Sequence, residues 1–279
     1  MTPFIVVIAI ASLFFLAPLP SAFAVSTRAD GEETARLLAA LLDAGRMVIE
    51  HNQAMIDDPR RGNKGFTPEV FERQLIEEFR LRTGIDMARL KSLEQEPQLP
   101  GLARELLPAL IQASKEVVTE AQIVINQRGI GYKNFIPATF GSQAASRFSK
   151  RTQVTLKQTA LNPRNPKNEP DPYEAAILRR LSTQKQAGTT SSEVTEGNGG
   201  VLTDPWKTGL RQSSVDEGQG GVQTLRVLMP IYYTTGCLIC HGMPAHELDI
   251  AGYPKEGAQE GELAGAISVT IPLERSTRR

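Results

Sequence analysis

The sequence predicts an α+β domain in which a layer of N-terminal helices is followed by an antiparallel sheet. Apolar residues recur at helical spacing in the first half of the chain, and two stretches near its end have the alternation of strands. With 41% hydrophobic and 22% charged residues, the chain of 279 residues has enough apolar material for one sizeable core or two small ones.

The first half of the chain is expected to form three helices. They span about Glu32 to Ile56, Pro68 to Arg82 and Gly101 to Gln127. Thr67 is a suitable cap for the second helix, with Pro68 at its first position, and Pro108 is expected to kink the third.

The middle of the chain holds two less regular segments. Residues 129–141, GIGYKNFIPATFG, suit neither a plain helix nor a strand. Residues 161–181 begin as a rigid, proline-rich and exposed loop. A helix is expected after this loop, with Asp171 as its cap, Pro172 at its first position and Glu174 three residues after the cap.

The last third of the chain is expected to supply the sheet. Two stretches rich in glycine and serine predict mobile loops, at 188–200 and at 213–221. Short strands or a hairpin are expected between them, at 201–210. Residues 225–233 and 263–273 predict strands of one sheet. In the second strand one alternating set is expected to face the core: Leu263, Gly265, Ile267, Val269 and Ile271.

The overall charge excludes one class of partner. Lysine plus arginine number 31 and aspartate plus glutamate number 31, so the net charge is zero. We therefore expect no bulk attraction to nucleic acid or to an anionic membrane surface.

The first 24 residues predict a secretory signal. An apolar run from Phe4 to Leu16 precedes Ala22-Phe23-Ala24, a pattern that suits cleavage after Ala24. No Lys or Arg precedes the apolar run, which leaves an uncleaved anchor as the alternative, although the run is shorter than a spanning helix. Either way residues 25–279 are expected to be periplasmic or otherwise extracytoplasmic, as one domain with a core at about 33–273.

The only two cysteines of the chain, Cys237 and Cys240, lie in GCLICHG, residues 236–242, and His241 directly follows the second cysteine. A disulfide, a thioredoxin-like pair and a zinc site with His246 as fourth ligand are three interpretations of this motif. The fourth is covalent haem attachment, which C-x-x-C-H favours most. One turn of chain presents the thiols of Cys237 and Cys240 to the two haem vinyl groups and places His241 under the iron. One covalent c-type haem is therefore the predicted cofactor.

Two cations of the proline-rich loop are candidates for a lesser role. Arg164 and Lys167 have the charge to neutralise haem propionates, although a solvated turn is the more ordinary interpretation of such residues.

Several patches together resemble one known family. They are GYKNFIPATFG, RNPKN with Glu174 after it, MPIYYTTGCLICHGMP, GYPKEG and LAGAISV. In order and spacing they are similar to the DUF3365 family, also called the Tll0287-like domain, over about 33–273. The resemblance implies a PAS-like haem c domain that often serves as an extracytoplasmic sensor, with Cys237 and Cys240 as thioether anchors and His241 as the proximal iron ligand.

The sixth iron ligand is not fixed by the resemblance. Some relatives place a cysteine where this chain has Tyr132, and with no third cysteine a thiolate ligand is excluded. Tyr132 or an open site is the expectation. The other donors considered are His51, His246, Lys133, Met229 and Met243.

Two functions remain open at this point. One is a redox or small-ligand sensor without an output domain of its own, which would act through a signalling partner. The other is a periplasmic monohaem electron-transfer cytochrome. The sequence contains no recognisable catalytic constellation, so enzyme activity is not expected, and a homodimer is implied only by resemblance to PAS-like sensors.

Overall fold

The computed structural model of the chain describes residues 27–87, 99–188, 212–217 and 223–273. Its helices are α1 (Arg28–Ile56), α2 (Pro68–Thr83), α3 (Gly101–Ile125), α4 (Pro137–Arg151), α5 (Pro172–Gly188) and the single turn α6 (Leu238–His241). Its strands are β1 (Thr155–Thr159), β2 (Gln212–Glu217), β3 (Gln223–Tyr232) and β4 (Leu263–Pro272). The predicted α+β class is confirmed.

The three predicted N-terminal helices are present. α1 begins four residues earlier than expected because the Thr27 side chain caps it by accepting a hydrogen bond from the Asp30 amide, 3.1 Å away. Thr67 caps α2 as predicted, accepting from the Val70 amide at 3.3 Å. α3 continues through Pro108 to Ile125.

Helix α4 and strand β1 were missed by the sequence analysis. The glycines at 129–141 indicated irregular structure, but Pro137 occupies the first turn of α4, where its fixed φ is favourable. Gly141 lies inside this helix because the Gln158 side chain of β1 approaches it so closely that a Cβ would collide. The glycine therefore serves helix-to-strand packing.

The predicted loop at 213–221 is wrong in its first half, where β2 forms. β2 pairs antiparallel with β3, from Gln212 opposite Leu228 to Glu217 opposite Gln223. Hydrogen bonding to a neighbouring strand here outweighs the low strand preference of serine and aspartate. The predicted hairpin at 201–210 lies outside the described residues, as do the signal segment 1–24 and most of 188–200.

The four described strands form one antiparallel sheet in the order β1-β4-β3-β2. One face packs on α1 and α4, and α2 and α3 pack on these helices in turn, so that all four helices share a large apolar core that includes Val227, Met229 and Val269. The other face packs on α5 through a smaller cluster around Leu178 and Leu228. The helical layer beside the sheet is thus confirmed, and α5 adds a third layer on the opposite face.

Helix α5 begins at Pro172, the residue that its capping pattern predicts. The Asp171 carboxylate accepts from the Glu174 amide at 2.9 Å, and the Glu174 carboxylate accepts from the Asp171 amide at 3.0 Å. Two otherwise unpaired amides are satisfied reciprocally, which fixes the point where the proline-rich loop ends.

A bulge interrupts the pairing of β3 with β4 next to the connection between them. Ile231 pairs with Gly265 but Tyr232 pairs with Leu263, so Ala264 is the extra residue. Ile267, Val269 and Ile271 face the helical core as predicted, whereas Leu263 joins the α5 cluster. The expected position of Leu263 is therefore wrong, because one inserted residue reverses the side on which a strand residue lies.

We expect Gly265→Ala to lower the free energy of unfolding by about 1–3 kcal/mol, the usual cost of overpacking. A Cβ at this position would overlap the carbonyl oxygen of Thr159 in β1, and a backbone atom in a sheet cannot move aside cheaply. Urea denaturation followed by circular dichroism measures the change. Gly101→Ala is the control, since a Cβ there meets no heavy atom within 4 Å. Equal stability of the Gly265→Ala and wild-type proteins would contradict this prediction.

Candidate functional site

The cysteine motif lies in the connection between the adjacent strands β3 and β4, residues 233–262, here called the motif loop. A short 3-10 turn, Thr235–Cys237, leads directly into the single turn of α6, Leu238–His241. Cys237, Cys240 and His241 are therefore brought together on consecutive turns. Both thiols are partly exposed and neither forms a disulfide.

His241 is held by a carboxylate and an aromatic ring. Its Nδ1 lies 2.7 Å from Oε2 of Glu256, and its ring centroid lies 5.2 Å from that of Tyr233 at an interplanar angle of 40°. An ionised carboxylate can only accept, so Nδ1 carries the proton of this hydrogen bond and Nε2 is the nitrogen left available to a metal ion. This is the tautomer that a metal-ligating histidine needs.

The phenol of Tyr233 remains neutral beside this ring. Its burial raises its pKa to about 12, with a further contribution from the Glu256 carboxylate. Tyr233 also fixes the start of the motif loop, because its amide donates to the Glu262 carbonyl and its carbonyl accepts from the Gly261 amide.

Glu256 is shared between His241 and Arg164. Arg164 Nε lies 3.0 Å from Oε1 of Glu256 and Arg164 Nη2 lies 3.1 Å from Oε2, a side-on fork. Partial burial raises the pKa of Glu256, but the hydrogen bonds from Arg164 and His241 outweigh burial and hold that pKa below its ordinary value. Glu256 is thus a carboxylate at neutral pH.

Arg164 has a role that the sequence analysis did not consider. It comes from the proline-rich loop between β1 and α5, yet it also donates to Asp249 Oδ2 at 2.6 Å, to the Cys240 carbonyl at 3.0 Å and to the Pro254 carbonyl at 3.3 Å. It is therefore neither a solvated charge nor an uncommitted partner for a propionate. Lys167 is exposed, as the solvated-turn interpretation expects.

Asp249 organises the second half of the motif loop. Its side chain is fully buried, and Oδ1 accepts from the amides of Ala251 and Tyr253 at 2.8 and 2.9 Å. Burial raises the pKa of Asp249, but these amides together with Arg164 hold it below its ordinary value. The sequence analysis missed this residue, although an Asp followed three residues later by a glycine is a turn signal.

Helix α1 supports the first half of the motif loop. The Thr234 hydroxyl donates to Oε1 of Glu50 at 2.6 Å, and the same hydroxyl lies 3.1 Å from Sγ of Cys237. Gly236 passes so close to Glu50 that a Cβ would overlap the carboxylate. The first glycine of GCLICHG, Gly236, therefore lets the motif loop lie close against the Glu50 side chain of α1.

Tyr132 lies on the loop between α3 and α4. Its hydroxyl donates to Oδ1 of Asn134 at 3.1 Å. Burial raises its pKa, and the thiol of Cys240 and the carboxylate of Asp249 raise it further, which places the phenol in the electrostatic neighbourhood of the motif loop.

The other sixth-ligand candidates are occupied or differently placed. The Lys133 ammonium is buried and donates to the Ile130 carbonyl. Met229 is fully buried in the helical core, and His51 lines a cleft between α1 and α2. Met243 is 66% exposed within the motif loop. His246, also exposed, has a positive φ and starts the turn around Asp249.

The motif loop carries a group of exposed large apolar side chains, here called the apolar surface. It consists of Ile239, Met243, Leu248, Ile250 and Tyr253. Each is between 49% and 68% exposed, and large apolar side chains gathered in one loop usually mark a contact with an apolar ligand or a partner.

Two properties of the described residues concern metal ions and membranes. No three His, Cys, Asp or Glu side chains among them converge on a common point where a metal ion would fit. Within the same residues, none of the helices has the length and apolar character of a membrane span.

Comparison with known proteins places the chain in a family. No curated protein matches it. One solved structure, that of the cyanobacterial haem protein Tll0287, matches at 16% sequence identity over 60% of this chain and 92% of the other, with a TM-score of 0.35. The Tll0287-like family model matches residues 26–272. Because that match covers most of the chain, the chain belongs to the Tll0287-like family.

Proposed function

We propose that this chain is an exported monohaem c-type protein that senses redox state or a small ligand. Cys237 and Cys240 are the thioether anchors and His241 is the proximal ligand. One observation carries the proposal: the C-x-x-C-H residues lie on consecutive turns, with free thiols and with Nδ1 of His241 committed to Glu256. A bound haem would supply an iron centre that changes oxidation state or accepts a diatomic ligand.

The donor set of the motif loop fits this group. Cys237 and Cys240 would each hold the haem through a thioether, in which a C–S bond to one vinyl group would replace the S–H bond and the hydrogen would pass to the neighbouring vinyl carbon. His241 offers Nε2 as the metal ligand while Glu256 holds the opposite nitrogen. The apolar surface supplies side chains against which a porphyrin would bury hydrocarbon area.

The sensing role is supported by the nature of the available sixth ligands. A strong second protein ligand suits electron transfer, whereas a weak or absent one leaves room for a small molecule. Lys133 and Met229 are engaged elsewhere, and Tyr132, the favoured candidate, is a neutral phenol already bonded to Asn134. We propose Tyr132 or an open position opposite His241.

The wider setting of the proposal comes from the sequence. The signal-like segment 1–24 supports a periplasmic location, and the helices packed on an antiparallel sheet suit a PAS-like sensor. A signalling or redox partner, and pairing with a second copy, belong to the same proposal. No enzymatic activity and no nucleic-acid partner are proposed.

Electron transfer is the second candidate function, and the apolar surface favours it. Those of its side chains that a porphyrin would leave exposed would suit transient docking of a redox protein. Four exposed glutamates lie in the motif loop, Glu247, Glu256, Glu260 and Glu262, and they would favour a partner with a basic rim.

Covalent attachment is tested by replacing each cysteine with alanine in cells that have a cytochrome c maturation system. We expect the wild-type protein to retain haem on a denaturing gel and the Cys237→Ala, Cys240→Ala double variant to retain none. Each single variant should keep one thioether and show a red-shifted pyridine haemochrome band. Thr235→Ala, an exposed neighbour, is the control. Haem-free wild-type protein with a Cys237–Cys240 disulfide would refute the proposal.

The role of His241 is tested by His241→Ala. We expect the haem spectrum to change and to be restored by added imidazole, because a free imidazole can occupy the position that the side chain vacates. His51→Ala and His246→Ala serve as matched controls, and both should retain the wild-type spectrum. An unchanged spectrum in His241→Ala would mean that another residue is the proximal ligand.

Sensing and electron transfer are distinguished by carbon monoxide. We expect the absorption spectrum of the reduced protein to shift with CO, and we expect Tyr132→Phe to increase CO affinity several-fold if the phenol competes for the iron. A reduced spectrum indifferent to CO, combined with fast electron exchange with other cytochromes, would favour the electron-transfer function.

A further inference from the structure

We propose that Arg164 is a positioning residue that sets the reduction potential of the haem through Glu256 and His241. The inference rests on the proposed function and extends it to a residue more than 70 positions before the motif. The four residues Arg164, His241, Asp249 and Glu256 are here called the Arg164 network.

The geometry of Arg164 is that of a bidentate contact. Nε and Nη2 each donate to a different oxygen of Glu256, at 3.0 and 3.1 Å, while Nη1 donates to Asp249 at 2.6 Å. The guanidinium also lies 5.3 Å from the ring centroid of Tyr253. With 23% of its side chain exposed, Arg164 sits where solvent weakens these contacts less than at the open surface. A lysine has one point of attachment and cannot reproduce this fork.

The fork limits how strongly Glu256 can attract the proton on His241. Oε2 of Glu256 accepts from both Arg164 and His241 Nδ1, at 3.1 and 2.7 Å, so the two donors share one oxygen. A guanidinium that neutralises part of the carboxylate charge leaves less of it to polarise the imidazole. Arg164 therefore controls the electron density that His241 can offer through Nε2.

Arg164 also fixes the backbone at the motif itself. Its Nη2 donates to the carbonyl of Cys240 at 3.0 Å and to that of Pro254 at 3.3 Å. One side chain thus joins the second cysteine, the turn around Asp249 and the partner of His241. Loss of Arg164 would therefore affect both the iron ligand His241 and the backbone that supports it.

These contacts determine whether the loss of Arg164 raises or lowers the reduction potential of the haem. Without the arginine, Glu256 pulls the Nδ1 proton more strongly, so His241 becomes a stronger electron donor and the oxidised iron is favoured. Removing a nearby positive charge acts in the same direction. We therefore expect Arg164→Gln to lower the reduction potential and Glu256→Gln to raise it.

Spectroelectrochemical titration of the haem-loaded full chain tests the inference. The variants are Arg164→Gln, Arg164→Lys, Glu256→Gln and the double variant Arg164→Gln, Glu256→Gln. Lys167→Gln is the matched control, because it removes an exposed cation from the same loop. We expect Arg164→Gln to shift the potential downward, Arg164→Lys to shift it less, and the control to leave it unchanged.

The double variant separates action through Glu256 from a direct effect of charge. The inference predicts that most of the Arg164→Gln shift disappears when Glu256 is already glutamine. A shift of equal size in both backgrounds, or a potential equal to that of the control, would overturn it. If Arg164→Gln does not fold, Arg164→Lys is measured alone and together with Glu256→Gln. A shift of the potential that is equal in the two cases would again overturn the inference. A wild-type protein without haem would instead contradict the proposed function.

Discussion

The motif loop depends on the contact between Arg164 and the buried carboxylate of Asp249. A charged side chain without solvent must be compensated by hydrogen bonds and an opposite charge, and two backbone amides and one guanidinium do this for Asp249. Because the same guanidinium holds Glu256 and the Cys240 carbonyl, the turn around Asp249 and the motif are fixed as one unit. The loop thereby acquires a defined shape despite its length.

The sheet and α1 provide the other supports. β3 and β4 place the two ends of the loop at adjacent positions, and the bulge at Ala264 interrupts the regular pairing close to where the loop joins the strands. On α1, the Glu50 carboxylate accepts a hydrogen bond from the Thr234 hydroxyl of the loop. The motif is therefore supported by three parts of the fold: the ends of the two central strands β3 and β4, the long first helix and the proline-rich loop.

Local patterns in the sequence predicted most of the fold and the centre of the site. Caps and periodicity located the first three helices and α5, and five contiguous residues located the motif. The features that local patterns could not predict depend on distant contacts. β2 forms because it pairs with β3. A glycine occupies position 141 inside α4 because the Gln158 side chain of β1 lies where a Cβ would be. Arg164 is the clearest case, because nothing near it in sequence indicates partners 76 to 92 residues away.

These separations also govern the order in which the protein assembles. The pairing of β3 with β4 joins neighbouring segments, whereas Arg164 must close a stretch of 85 residues to reach Asp249. Contacts that close long stretches form late, since the entropy of closure is lost before any contact compensates for it. Until that contact forms, Arg164 holds neither Glu256 nor the Cys240 carbonyl, so the final shape of the motif loop depends on a segment far outside it.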